Sequence, residues 1–172
     1  MGNDTVVEDL SSRWAEVVGD PALRDLPFKI ELNAWGKIEM SPASNRHGRL
    51  QARVASELNR QMPDGEAITE ASIVTDIGVR VPDVVWASPA FLTAHGESTP
   101  FPRAPEICVE IVSPSNSAEE TREKVRAYLA AGALEVWVVL EDGRAKYFDA
   151  TGELAGTVFP VRLELPGPLR PR

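Results

Sequence analysis

Hydrophobic positions along the chain switch between a helical and an alternating period, and the switches mark its elements. Residues 5–18 place Val6, Val7, Leu10, Trp14, Val17 and Val18 on one side of a helical repeat, with Thr5 and Glu8 spaced as a capping box. This predicts a helix, ended by Gly19 and Pro21, and residues 20–27 follow as a linker. The period then becomes two. Phe28-Lys29-Ile30-Glu31-Leu32 and Lys37-Ile38-Glu39-Met40 alternate around Asn33-Ala34-Trp35-Gly36, which predicts an antiparallel hairpin. Ser41-Pro42-Ala43-Ser44 breaks the chain before a second helix at residues 45–61, whose buried stripe is Leu50, Val54 and Leu58.

Residues 67–75 and 79–87 read as two strands around Asp76-Ile77-Gly78, and the proline-rich residues 88–105 read as a loop. Ile107-Cys108-Val109-Glu110-Ile111-Val112 is apolar except at Glu110, the pattern of a strand buried on both faces. Ser117-Ala118-Glu119-Glu120 is a capping box for a helix that runs to about residue 131 and stops at Gly132. Residues 134–140 form a further strand, and Asp142-Gly143 turns it into another at 145–148. The organisation is a helix and linker at 1–27, one domain at 28–160, and an extended or frayed tail at 161–172.

Composition narrows the function classes. The 172 residues can bury a core without staples, and 43% hydrophobic with 26% charged residues is ordinary for a soluble domain. No stretch is apolar enough to span a membrane, and no basic segment precedes an apolar one as in a secretory signal. Cys108 is the single cysteine and lies in the buried run, which fits a cytoplasmic protein with a packed thiol. The net charge of −8 opposes non-specific nucleic-acid binding, so any DNA contact has to use a local patch or a dimer groove. Arg46, Arg49, Arg53 and Arg60 share a side of the second helix; they read first as a solvated face with Glu57 paired to Arg53 or Arg60, and second as a phosphate-contacting stripe. Leu10 and Trp14 lie one turn apart on the first helix, which either packs on its own domain or joins two chains in a homodimer.

Glu110 carries the chemistry. A lone carboxylate in an apolar run is costly unless it is paired, protonated or bound to a cation. Asp83 stands in Arg80-Val81-Pro82-Asp83-Val84-Val85-Trp86, which resembles a second strand entered through proline, and Lys124 lies on the helix after Glu110's strand. Carboxylates from two strands with a lysine beside them suit a magnesium-dependent phosphodiesterase: two hard oxygen ligands for the ion, and an ammonium for the developing phosphate charge. Structural readings stand beside these roles. Asp83 also reads as a turn acid, Glu110 and Lys124 as a buried ion pair, and Lys124 as a partner of Glu120 one turn away. Tyr128 reads as core with a satisfied hydroxyl, Trp86 and Trp137 as core, Ser113 as a turn residue, and His47 as a satisfied polar residue at a helix start.

The order Pro82-Asp83, Glu110-Ile111-Val112-Ser113-Pro114-Ser115, Lys124-x-x-x-Tyr128 and Gly132-x-x-Glu135-x-Trp137 resembles the Uma-type family, described as restriction endonucleases of the PD-(D/E)xK nuclease superfamily. Met40-Ser41-Pro42 followed by His47 resembles that family's N-terminal half, so the match spans roughly residues 28–150. The resemblance implies an α/β restriction-endonuclease-like core, a central mixed sheet flanked by helices. It implies Asp83 and Glu110, with the Ile111 carbonyl, as ligands of Mg²⁺ or Mn²⁺, and DNA as substrate. The superfamily's usual lysine two residues after the glutamate is Val112 here, and in the Uma-type branch its place passes to the following helix, at Lys124. A non-catalytic binding or regulatory module on the same fold is the competing reading.

Overall fold

A computed structural model describes residues 2–169, and their side chains from residue 8 onward. Thr5, Val6 and Val7, which belong to the expected capping box and stripe, have side chains outside the described ones, and residues 170–172 of the expected tail also lie outside them. Helix α1 spans Gly2–Gly19, and strands β1 (Phe28–Leu32) and β2 (Ile38–Pro42) form the expected hairpin. Helix α2 (Asn45–Gln61) is capped by Ser44, whose side chain accepts from the His47 backbone N–H. Leu50, Val54 and Leu58 are its fully buried stripe.

The two strands expected at 67–75 and 79–87 are four: β3 (Glu66–Thr69), β4 (Ile73–Thr75), β5 (Gly78–Arg80) and β6 (Val84–Ala87). The breaks have local causes. Glu70 takes a positive φ of 55°, and Pro82 has no N–H for a ladder. As a result β4 and β5 form a separate two-stranded sheet, with one further bridge from Ile73 to Phe101, while β3 and β6 join the main sheet. The expected loop at 88–105 contains a short helix α3 (Pro89–His95). Its signal is Ser88 as N-cap with proline at the first helical position. Then come β7 (Ile107–Val112), α4 (Ala118–Ala130), β8 (Glu135–Leu140), β9 (Ala145–Asp149) and a short β10 (Gly152–Leu154).

The main sheet is mixed and six-stranded, in the order β10-β9-β8-β7-β6-β3. Only β7 and β8 are parallel, joined through α4 as a crossover requires. Period-two alternation along β7 divides the core. Ile107, Val109 and Ile111 pack with Leu50, Val54 and Leu58 of α2, and Cys108 packs with Val125 and Tyr128 of α4. Glu110 shares the parity of Cys108, so it faces α4. Trp86 and Trp137 are core, as expected.

Two end segments are better packed than the sequence suggests. Leu10, Trp14 and Val17 of α1 are buried against Leu32, Val74, Val79 and Val81 of the same chain. The face that could have joined two chains therefore closes a third core cluster. The C-terminal tail is extended but not frayed in its first part, because Val161 is buried on the α2 side and Phe159, Leu163 and Leu165 pack beside it. Buried Glu135 anchors the approach to the tail, accepting from Thr157 Oγ1 at 2.7 Å and the Val158 N–H at 2.8 Å. No helix among the described residues is long and apolar enough to cross a membrane.

Gly78 is where the small β4–β5 sheet meets β1. Its φ is +116°, and a Cβ there would stand 2.0 Å from the Leu32 carbonyl oxygen. Gly78→Ala therefore combines backbone strain with a clash against rigid backbone, and a loss of at least about 2 kcal/mol is expected in urea unfolding. Gly152 has φ +126° with nothing within 4 Å of the same atom. Gly152→Ala should lose less; equal losses would show that the close approach to β1 does not matter.

Candidate functional site

Five segments of the chain bring charged side chains to one cavity of about 670 Å³. Lys29 and Glu31 come from β1, His47 from α2, Asp83 from the residue before β6, Glu110 from β7 and Lys124 from α4. Asp83 and Glu110 reach it from neighbouring strands, since the Asp83 N–H donates to the Val109 carbonyl at 3.0 Å. Both are nearly inaccessible, at 1% and 5% exposure.

Asp83 is held on both oxygens. Oδ1 lies 2.7 Å from Lys29 Nζ and 3.0 Å from His47 Nε2, and Oδ2 accepts the Ile111 backbone N–H at 2.7 Å. Gln51 of α2 adds a bond to the Asp83 carbonyl at 3.0 Å. Glu110 Oε1 accepts from the Tyr128 hydroxyl at 2.6 Å and lies 3.5 Å from Lys124 Nζ. Lys124 is closer to a carboxylate that the sequence did not single out. Its Nζ stands 3.1 Å from Glu31 Oε2 and 3.2 Å from Oε1. Glu31 also accepts the Val81 N–H at 2.8 Å and faces Arg80, which in turn pairs with Glu39.

Titration follows from this geometry. Burial raises the Glu110 carboxyl above its ordinary range, and Lys124 and Lys29 only partly offset it. Burial acts the same way on Asp83, but the His47 hydrogen bond and the Lys29 charge outweigh it and bring the group down to about 2. At Glu31 burial is outweighed by Lys124, Lys29 and the Val81 N–H, so its carboxyl is lowered. Burial disfavours charge on Lys29 and Lys124 too, yet the carboxylates around them raise both. The Asp83 hydrogen bond raises His47. Two carboxylates on adjacent strands are thus driven in opposite directions, Glu110 by burial and Asp83 by its partners.

Asp83, Glu110 and Lys124, the three residues singled out from the sequence, line the same cavity. Lys124 lies with Glu31 and Glu110 instead of Glu120. Ile111 contributes its N–H to Asp83. Among the described residues no group of three or more His, Cys, Asp and Glu is gathered as a metal site. Tyr128 is core with its hydroxyl on Glu110, and Cys108 is buried with its thiol pushed up by burial. Ser113 sits in a hydroxyl and amide turn with Ser115 and Asn116. Arg46 is no phosphate contact: its guanidinium is tied to the carbonyls of Glu141 and Pro166. Arg60 pairs with Glu57, the solvated-face reading. His47 is more than a helix-start residue, since it bonds Asp83. Lys29 and Glu31 carry no signal in the sequence, because alternation assigns them to the polar face of a hairpin without saying what covers that face.

A family model described as "Putative restriction endonuclease" (Uma2) matches residues 21–151, and the chain belongs to that family. Its fold is similar to the crystal structure of a "putative nuclease belonging to DUF820" from Anabaena variabilis, with a TM-score of 0.57 and 20% identity over 70% of this chain and 76% of that one. The restriction-endonuclease-like fold expected from the sequence is therefore the fold of the chain. No curated protein matches the sequence.

The His47–Asp83 bond gives a signed pH dependence. A histidine whose folded pKa is raised contributes stability that is fully present below its unfolded value of about 6.5 and is lost as pH rises through the folded value. His47→Gln should therefore lower Tm more at pH 5.5 than at pH 8.5, with EDTA present throughout. An equal deficit at both pH values would mean that the imidazolium charge does not stabilise the fold.

Proposed function

We propose that this chain is a metal-dependent endonuclease that hydrolyses phosphodiester bonds of DNA, with Asp83, Glu110 and Lys124 as its working residues. The observation that carries the reading is the meeting of two buried carboxylates from neighbouring strands at one cavity, with an ammonium beside one of them. The family match supports a nuclease, and the cavity chemistry supports the metal.

Lys29 indicates that a cation fits there. Its ammonium lies 2.7 Å from Asp83 Oδ1, and the carboxylates that favour its charge most are Glu110 and then Asp83. The donors are hard carboxylate oxygens, which suit Mg²⁺ or Mn²⁺. Asp83 and Glu110 would hold the ion, and a shell of about six oxygens leaves the remainder to water, phosphate and a backbone carbonyl such as that of Ile111. A divalent ion bound there would supply Lewis-acid polarisation of the phosphate and a more acidic water.

The chain's own residues do the rest. His47 and the Ile111 N–H fix the Asp83 carboxylate on opposite oxygens. Tyr128 holds Glu110 on the α4 side. Glu31 orients the Lys124 ammonium, whose charge offsets the negative charge that grows on phosphate oxygens as the attacking oxygen adds. A second reading, a non-catalytic module on the same fold, is favoured by how completely these charges are matched within the chain.

Cleavage of supercoiled plasmid and of single-stranded DNA with Mg²⁺ or Mn²⁺, against EDTA, separates the two. Asp83→Ala and Glu110→Ala should abolish cleavage, and Lys124→Met should slow it by about 100-fold or more. Lys124→Met also removes the ammonium shared by buried Glu31 and Glu110, so a stability loss on the order of 3 kcal/mol is expected, and rates should be compared where the variant is folded. Metal-dependent cleavage that survives Asp83→Ala would remove this site from the reaction. A wild type that cuts neither substrate would favour the binding module.

A further inference from the structure

We infer that Lys29 is the resident counter-ion of the Asp83–Glu110 pair, and that a divalent cation enters this site by displacing its ammonium. The inference rests on the metal-dependent reading above and names the residue that regulates it. Lys29 Nζ makes two contacts, 2.7 Å to Asp83 Oδ1 and 2.8 Å to the Val81 carbonyl. Its side chain is 12% exposed and lines the same cavity as Asp83 and Glu110, so the ammonium occupies an Asp83 oxygen within the space an ion would enter. A cation held on Asp83 Oδ1 competes with Lys29 for that oxygen, and two cations in one small volume repel strongly.

Three features make the exchange possible for Lys29 and not for Lys124. Lysine carries a compact charge on a flexible four-carbon stem, so its ammonium can swing into the cavity while the β1 backbone stays in place. Asp83 keeps its orientation when the ammonium leaves, because His47 remains on Oδ1 and the Ile111 N–H on Oδ2. Lys124 has its own carboxylate in Glu31, at 3.1 and 3.2 Å, and has no need to move. The two lysines of the cavity therefore differ in role. Lys124 is fixed by a neighbour from β1, and Lys29 is a tethered cation held where the metal would sit.

The test is Mn²⁺ binding to chelator-treated full-length protein, read by calorimetry and by the Mn²⁺-induced rise in Tm. Four proteins are compared with the wild type: Lys29→Gln, Lys29→Met, Lys29→Arg and Asp83→Asn. Lys29→Gln keeps a hydrogen-bond donor for Asp83 without the charge, and serves if Lys29→Met does not fold. Removing the charge should tighten Mn²⁺ binding by about tenfold or more and enlarge the Tm rise, since a native-state ligand stabilises according to its affinity. Lys29→Arg should bind as the wild type does or more weakly, and Asp83→Asn should not bind. If the wild type binds and Asp83→Asn does not, while Lys29→Gln binds no tighter than the wild type, the counter-ion role falls and the metal site stands. If neither the wild type nor Lys29→Gln nor Lys29→Met binds Mn²⁺, both fall.

Discussion

The buried carboxylate of Glu110 is the constraint around which the neighbouring elements are arranged. An ionised carboxylate in a fully apolar strand is not tolerated alone. Here the Tyr128 hydroxyl and the Lys124 ammonium meet it from α4. Lys124 in turn is satisfied by Glu31 on β1, and Glu31 by the Val81 N–H and Arg80. One acid in the central sheet thereby ties a helix on one face to a hairpin at the edge. The same chain of bonds explains why the β1–β2 hairpin, which lies outside the six-stranded sheet, is fixed in place: it contributes charges as well as the buried Leu32.

The alternation of β7 is what lets chemistry and core coexist in one strand. Its odd positions give α2 a dry surface, and packing there is independent of the charges. Its even positions face α4, where Cys108 is apolar packing and Glu110 is the one polar break. Asp83 is placed by different means. It precedes β6, after Pro82 has interrupted the ladder, and its backbone is recaptured by Val109 and Gln51. A proline that ends one pairing and an aspartate that begins the next put a carboxylate at the level of Glu110 without spending a core position on it.

Much of this was legible in the sequence, and the misses have physical reasons. Periodicity located α2, β7, α4 and the first hairpin because each has one face committed to the core. It fused β3 with β4 and β5 with β6, because the kink at Glu70 and the strand exchange at Pro82 are tertiary choices that leave the apolar pattern unbroken. Asp83, Glu110 and Lys124 were found because each conflicts with its surroundings or extends a recognisable order of motifs. Lys29 and Glu31 conflict with nothing: an alternating polar face is what a solvated hairpin shows. His47 is inconspicuous for the same reason, since a histidine at a helix start has an adequate local explanation until the fold brings Asp83 to within 3.0 Å of it.

The charge of the whole chain and the charge of the cavity bear on the proposed activity together. With a net charge of −8 the chain does not draw a polyanion toward itself at long range. Within the cavity, Lys29 and Lys124 are matched by Asp83, Glu31 and Glu110, so their ammoniums present little uncompensated positive charge to a phosphate. Arg49 and Arg53 of α2 are exposed outside this matched set. On the nuclease reading, the balance changes when a divalent ion joins Asp83 and Glu110. The added charge is then unmatched, and a displaced lysine adds another at the same mouth. On that reading phosphate affinity would follow metal occupancy, because among the described residues the cations lining the cavity are already matched by carboxylates, and an acidic chain would attract DNA chiefly at the site and only with the ion bound.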